Sequence, residues 1–159
     1  MLKKLIICGS NSKKSKSFAL SEVLSRELLT WAIYLNSSEN IPLISNEVIE
    51  KNEFPPTISF LVEKIKEHQI LIFVFPQYNY NFSGFMKNVL DWCSISSRKI
   101  FHSKRLILVG VSQTKIGESE FKQIVSWTFS SLGASQIIFL NYTPKTEQQE
   151  IIQQIKKYV

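Results

Sequence analysis

Six successive apolar residues, Ile70-Leu71-Ile72-Phe73-Val74-Phe75, constrain this chain more than any other feature. They show no alternation of polar and apolar positions. A strand of this kind is buried on both faces, which points to the middle of a parallel sheet covered by helices above and below. Parallel strands cannot be joined by tight hairpins; each pair needs a crossover, usually helical. The rest of the chain supplies such crossovers. Leu5 to Cys8 predicts a buried strand ended by Gly9. Ser15 to Ala32 predicts a helix, with Phe18, Leu20, Val23, Leu24, Leu28 and Trp31 at helical spacing and Ser15 or Ser17 as its N-cap. Ile33 to Leu35 reads as a short strand and Ile41 to Ile44 as an extended loop. Thr57 to His68 is a second amphipathic helix capped by His68, and Pro76 ends the central strand. Ser83 to Ser96 predicts a helix and Arg105 to Val111 a strand. A helix over Glu118 to Leu132, closed by Gly133, leads to a strand over Gln136 to Leu140 and a helix over Thr146 to Tyr158. This alternation predicts an α/β fold, a three-layer sandwich with a parallel sheet and helices on both faces.

The 159 residues fit one domain, 1–159. Hydrophobic residues make up 44% and charged residues 20%, which excludes a disordered or low-complexity chain. Cys8 and Cys93 both lie in apolar surroundings and read as reduced, buried thiols. Without clustered His or Asp they make no zinc site, and no metal is expected. Nineteen Lys and Arg against 13 Asp and Glu leave a net charge of +6. That excess suits anionic ligands but does not by itself point to nucleic acid. The apolar run after Lys3 and Lys4 is too short for a signal core, and no run is long enough to span a membrane. A cytoplasmic location is expected.

In a doubly wound sheet, ligands bind at the carboxyl ends of the strands, where strand order reverses. Three loops therefore matter. The first runs from Gly9 to Ser17 and leads into a helix, whose free N–H groups and dipole favour a phosphate. Ser10, Ser12, Ser15 and Ser17 offer hydroxyls, and Lys13, Lys14 and Lys16 add charge. It is neither a Walker loop nor a dinucleotide fingerprint, since Gly9 is its only glycine. The second loop sets Tyr78, Tyr80 and Phe82 among Gln77, Asn79 and Asn81, a mixture suited to stacking on a planar heteroaromatic ring and bonding its edge. The third loop, Val111 to Gly117, follows the fourth strand.

The second loop and its helix carry a recognisable pattern. Pro76, Tyr78, Asn79, Gly84, Lys87, Asn88, Asp91 and Trp92 stand in the register of the NADPH-dependent FMN reductase family, which the chain resembles over nearly its whole element order. Gln77, Ser83 and Met86 replace the usual Glu, Pro and Leu. In the first loop Gly9, Ser10 and Ser15 match, while Ser12 holds the usual Arg position and Ser17 the usual Asn position. The resemblance implies a flavodoxin-like fold, with five parallel strands in the order 2-1-3-4-5. It implies bound FMN, NAD(P)H as co-substrate, and hydride passed through the flavin to a quinone-, azo- or flavin-type acceptor. No side chain is required as an acid or base, so no catalytic residue is expected. Ser10, Ser12, Ser15 and Ser17 would surround the phosphate, with Lys13 standing in for the Arg as a point charge. Pro76, Gln77, Tyr78 and Asn79 would lie along the isoalloxazine, flanked by Phe82, with Ser112 and Gln113 at the ring edge. A homodimer or tetramer is implied, with Met86 to Ile95 as an interface helix. The same fold also serves flavodoxin-type electron carriers, which are commonly acidic, and a relative with weakened FMN binding would lack enzymatic activity.

Overall fold

A computed structural model describes residues 2–35, 41–51 and 54–159. Its strands are β1 (Lys4–Cys8), β2 (Ala32–Tyr34), β3 (Ile70–Tyr78), β4 (Asn81–Phe82), β5 (Arg105–Val111) and β6 (Gln136–Tyr142). Its helices are α1 (Lys16–Glu27), α2 (Asn46–Glu50), α3 (Pro56–Glu67), α4 (Gly84–Ser96), α5 (Glu118–Ser131) and α6 (Gln148–Lys156). The parallel strands lie in the order β2-β1-β3-β5-β6. This is the expected 2-1-3-4-5 order, with β4 added as a short antiparallel partner of β3.

The alternation of side chains along β3 divides the core. Ile70, Ile72 and Val74 face one side with Leu20 and Leu24 of α1, its C-cap Leu28, and Ile151, Ile152 and Ile155 of α6. Leu71, Phe73 and Phe75 face the other, against α3, α4 and α5. That second side is aromatic. Phe73, Phe75, Phe82, Phe101, Phe121 and Phe129 form a continuous set of ring contacts, with centroids 5.0–6.4 Å apart. Edge-to-face pairs within it add stabilisation beyond area burial.

Several boundaries differ from the sequence expectation. α1 ends at Glu27, not Ala32, because Leu29 takes a left-handed φ of 48° and the chain turns into β2. β3 does not stop at Pro76. Its pairing with β1 ends at Val74, so Pro76 falls where the strand has a parallel neighbour on β5 alone. A missing N–H is tolerated there. β6 runs on to Tyr142, and α6 is shorter at both ends than expected. Trp31 and Trp127 are each 68% exposed in the single chain. His68 does cap α3, its Nδ1 lying 2.6 Å from the Lys64 carbonyl.

The helix expected at an interface is largely committed to the core. Met86, Val89, Leu90, Trp92 and Cys93 of α4 are all buried within the chain's own core. Of the expected segment Met86 to Ile95, Ile95 is the large apolar residue left exposed, at 48%. Cys93 is sealed so thoroughly that burial pushes its thiol up to about 12. Burial also raises Cys8, against smaller opposing effects of the Ser10 backbone and Ser21 hydroxyl.

Candidate active site

The three loops leave β1, β3 and β5 side by side at the carboxyl edge of the sheet. Gly9 N–H donates to the Val74 carbonyl at 2.8 Å, which fixes where the first loop leaves β1. The loop then crosses so close to α4 that a Cβ at Gly9 would run into the Met86 sulfur. Beyond it, serines build the turn. Ser10 Oγ accepts from Ser12 N–H at 3.3 Å, and Ser12 Oγ accepts from Lys14 N–H at 3.2 Å. Ser15 is the N-cap of α1, accepting from Phe18 N–H at 3.1 Å. Ser17 sits one position inside the helix. It is 1% exposed, and its hydroxyl has no partner among the described residues. The N–H groups of Lys16 and Ser17 open the helix and have no intrahelical carbonyl to bond.

The second loop is a tight hairpin. Gln77 pairs with Phe82 and Tyr78 with Asn81, leaving a two-residue turn of Asn79 and Tyr80. Both turn residues have positive φ, 50° and 62°, as a type I′ turn requires. A tyrosine in that region costs roughly 1 kcal/mol or more. The hairpin is held from both sides. Phe82 is 6% exposed and packs on Phe75, Phe121 and Phe129. Gly117, at φ 72°, admits the Tyr80 ring into the space a Cβ would fill. Ser83 then caps α4, accepting from Met86 N–H at 3.1 Å.

The helical half of the motif turns out to be architectural. Asn88 Nδ2 and Trp92 Nε1 both donate to the Pro42 carbonyl, at 3.0 and 2.8 Å. Asn88 Oδ1 accepts from Ile44 N–H at 2.9 Å. These bonds pin the extended segment 41–45 beside α4. Lys87 and Asp91 form an exposed i,i+4 ion pair at 2.6 Å, worth a few tenths of a kcal/mol, about 0.3–0.5.

In the third loop Ser112 Oγ lies 2.8 Å from the Thr114 carbonyl and 3.0 Å from Asn141 Oδ1, tying the loop back to β6. Two bonds join the loops to one another. Gln77 Nε2 donates to the Ile116 carbonyl at 3.3 Å, and Lys16 Nζ donates to Gln113 Oε1 at 3.1 Å.

Between the loops lie two adjoining hollows. One, of about 370 Å³, is lined by Lys14 to Ser17, Pro76 to Tyr78 and Val111 to Gln113. The other, of about 360 Å³, is lined by Gln77, Asn79, Tyr80 and Ser112 to Thr114, with Ile116. They share Gln77, Ser112 and Gln113 and form one cleft. Of the expected site residues, Ser15, Ser17, Pro76, Gln77, Tyr78, Asn79, Ser112 and Gln113 are brought together in its walls. Ser10 is buried beneath the first loop. Ser12 and Lys13 are exposed and stand outside the walls. Phe82 is not a wall residue either, because its ring is spent in the aromatic core. Lys14, Lys16 and Tyr80, expected only as charge and aromatic surface of their loops, are wall residues too, as are Thr114 and Ile116 of the third loop. Lys16 was detectable as the first residue after a capping serine; nothing local marked Ile116.

The walls contain no carboxylate and no histidine. Their charge is Lys14 and Lys16, next to the positive end of the α1 dipole. Of the three buried polar side-chain atoms without a partner among the described residues, two belong to wall residues, Ser17 Oγ and Gln77 Oε1, and the third, Asn141 Nδ2, does not. A free hydroxyl beside a helix N-terminus suits a phosphate ester. The free amide oxygen of Gln77, a wall residue together with Asn79 and Tyr80, suits an N–H on the edge of a planar ring. A hydroxyl donor at one end and an amide acceptor at the other therefore fit FMN at both its phosphate and its ring.

A doubly wound parallel sheet with an anion-favouring helix start and an aromatic hairpin at its switch point defines a flavodoxin-like nucleotide-binding protein. Residues 2–137 match the family described as NADPH-dependent FMN reductase, and the chain belongs to that family of oxidoreductases, with FMN as cofactor and NAD(P)H as co-substrate. It is 28% identical over 152 residues to an NAD(P)H-dependent FMN reductase of Pseudomonas aeruginosa, covering 95% of this chain and 77% of that protein. It is 38% identical over 60 residues to a quinone reductase of Escherichia coli, covering 38% of this chain and only 32% of that protein. Among solved structures it is similar to an FMN-dependent NADH-azoreductase from Bacillus anthracis in complex with FMN. The TM-score there is 0.65 at 16% identity, over 98% of this chain and 94% of that one, a likeness of fold.

Proposed function

We propose that residues 1–159 act as one FMN-binding domain, which takes hydride from NAD(P)H and passes it to a quinone-, azo- or flavin-type acceptor. FMN supplies the redox chemistry when bound. The chain's own residues bind, orient and shield. Ser15 and Ser17, with the first N–H groups of α1, surround the phosphate, and Ser10 braces the turn that leads to them. Pro76, Gln77, Tyr78 and Asn79 lie along the isoalloxazine, with Ser112 and Gln113 at its edge. Backbone N–H groups of the Gln77–Asn79 segment stabilise negative charge on the reduced ring. Hydride passage through the flavin requires no side chain as acid or base.

The observation that carries this reading is the pairing of two unpartnered buried atoms, Ser17 Oγ and Gln77 Oε1, in the walls of one cleft. Ser17→Ala tests it. The hydroxyl bonds nothing in the free chain, so its loss is expected to leave the melting temperature unchanged or raised. FMN affinity is expected to fall about tenfold, the value of one charge-assisted hydrogen bond. Unchanged FMN affinity would remove the phosphate assignment.

The protein is proposed to work as a homodimer or tetramer in the cytoplasm. Among the described residues no helix is long and apolar enough to cross a membrane. Exposed Tyr78, Tyr80 and Ile116 at the cleft mouth are the surface a second subunit would cover.

A further inference from the structure

We propose that Lys16 is the cation that recognises the flavin's phosphate, and that its bond to Gln113 holds the ammonium across the cleft until the phosphate displaces the amide. The inference rests on the FMN reading above. It assigns the phosphate charge to a residue outside the positions that the family pattern marks.

Lys16 is the first residue of α1, and the first turn of that helix holds no acid. A lysine at the positive end of a helix dipole is unfavourable unless an anion offsets it. Lys16 pairs with no carboxylate among the described residues; its Nζ bonds only the neutral amide of Gln113, at 3.1 Å. The buried, unpartnered hydroxyl of Ser17 stands beside it in the same wall. Unbonded helix N–H groups, a free hydroxyl and an ammonium with no carboxylate partner among the described residues thus line one wall. An ammonium gains more from a phosphate dianion than from an amide oxygen, so the exchange runs downhill once the ligand arrives. Ser12 occupies the position where an Arg would supply this charge, and Lys13 stands outside the walls. Lys14 does line the cleft. Lys16 is better placed because the helix fixes its backbone and its side chain already reaches across.

The test compares FMN with riboflavin, which lacks the phosphate, by titration against flavin fluorescence. Wild type, Lys16→Gln, Lys16→Arg, Lys13→Gln and Gln113→Ala are measured, each first checked for an unchanged melting curve. Lys16→Gln is expected to lose about tenfold or more in FMN affinity with riboflavin affinity unchanged. Lys16→Arg is expected to restore the preference for FMN. Lys13→Gln removes the same charge from outside the walls and is expected to shift FMN affinity less than about threefold, a screened surface effect. Gln113→Ala is expected to keep or enlarge the FMN-to-riboflavin ratio. A Lys16→Gln protein that keeps the wild-type ratio, or a Lys13→Gln protein that loses as much, would overturn the assignment while leaving FMN binding intact. A Gln113→Ala protein with a collapsed ratio would overturn the exchange. A wild-type chain that binds neither flavin would overturn the FMN reading itself, and this inference with it.

Discussion

The first and second loops meet in one cleft but are anchored differently. The second is a hairpin whose Phe82 is driven into an aromatic core and whose Tyr80 rests on Gly117. The first is held by hydroxyl bonds of 3.1–3.3 Å among its own serines. One is fixed by burial, the other by local polar contacts worth about 1 kcal/mol each. The ring side of the cleft is therefore preformed, while the phosphate side can adjust around an arriving anion. The lysine tie across the cleft belongs to the adjustable half.

The contrast breaks most visibly at Phe82. Phe82→Ala empties part of the aromatic core and is expected to cost about 3–4 kcal/mol in denaturant unfolding. A loss below about 1 kcal/mol would mean the hairpin is not anchored by that ring. Cys93, on α4 beneath the same core, gives the next effect. Cys93→Ala is expected to cost about 1–2 kcal/mol at neutral pH through lost packing. It also changes the alkaline limb. The folded thiol is pushed from an ordinary 9.0 up to about 12, so the unfolded chain ionises first. Its contribution is intact below about pH 9 and is lost as pH rises towards about 12. The wild type should therefore lose stability across that window more steeply than Cys93→Ala; equal slopes would contradict the burial of the thiol. The smallest effect lies in the first loop. Ser15→Ala removes the α1 cap and is expected to cost about 1 kcal/mol. FMN should restore part of that loss. A cost as large as that of Phe82→Ala would erase the distinction between the loops.

The parts of this fold that follow a period were readable in the sequence. The unbroken apolar run of β3, the helical spacing in α1 and α3, and Gly133 closing α5 all have local causes. Pro76 misled because a proline ends a strand only where both neighbours need its N–H, and β1 had already stopped pairing at Val74. β4 is two residues long and exists through its pairing with Gln77 and Tyr78, which no local pattern encodes. The site followed the same rule. Loop positions follow from topology, which brings the ends of β1, β3 and β5 together. Phe82 read as a ring-flanking aromatic because composition cannot say which way a side chain turns. Lys13 read as the phosphate cation because it adjoins the Arg position, whereas helix geometry carries Lys16 to the cleft and leaves Lys13 outside. Asn88 and Trp92 helped to carry the family resemblance, yet they hold Pro42 and touch no wall of the cleft.

The most direct test of the central claim is an anaerobic titration of the FMN-loaded protein with NADPH and with NADH, followed in the flavin's visible absorption band. The account expects tight uptake of FMN and bleaching of the band by at least one nicotinamide without any added reductase, then recovery when a quinone is supplied. FMN that binds but stays oxidised under both nicotinamides would contradict the hydride-transfer reading and mark the chain as an electron carrier. A protein that takes up no FMN would contradict the assignment of the cleft.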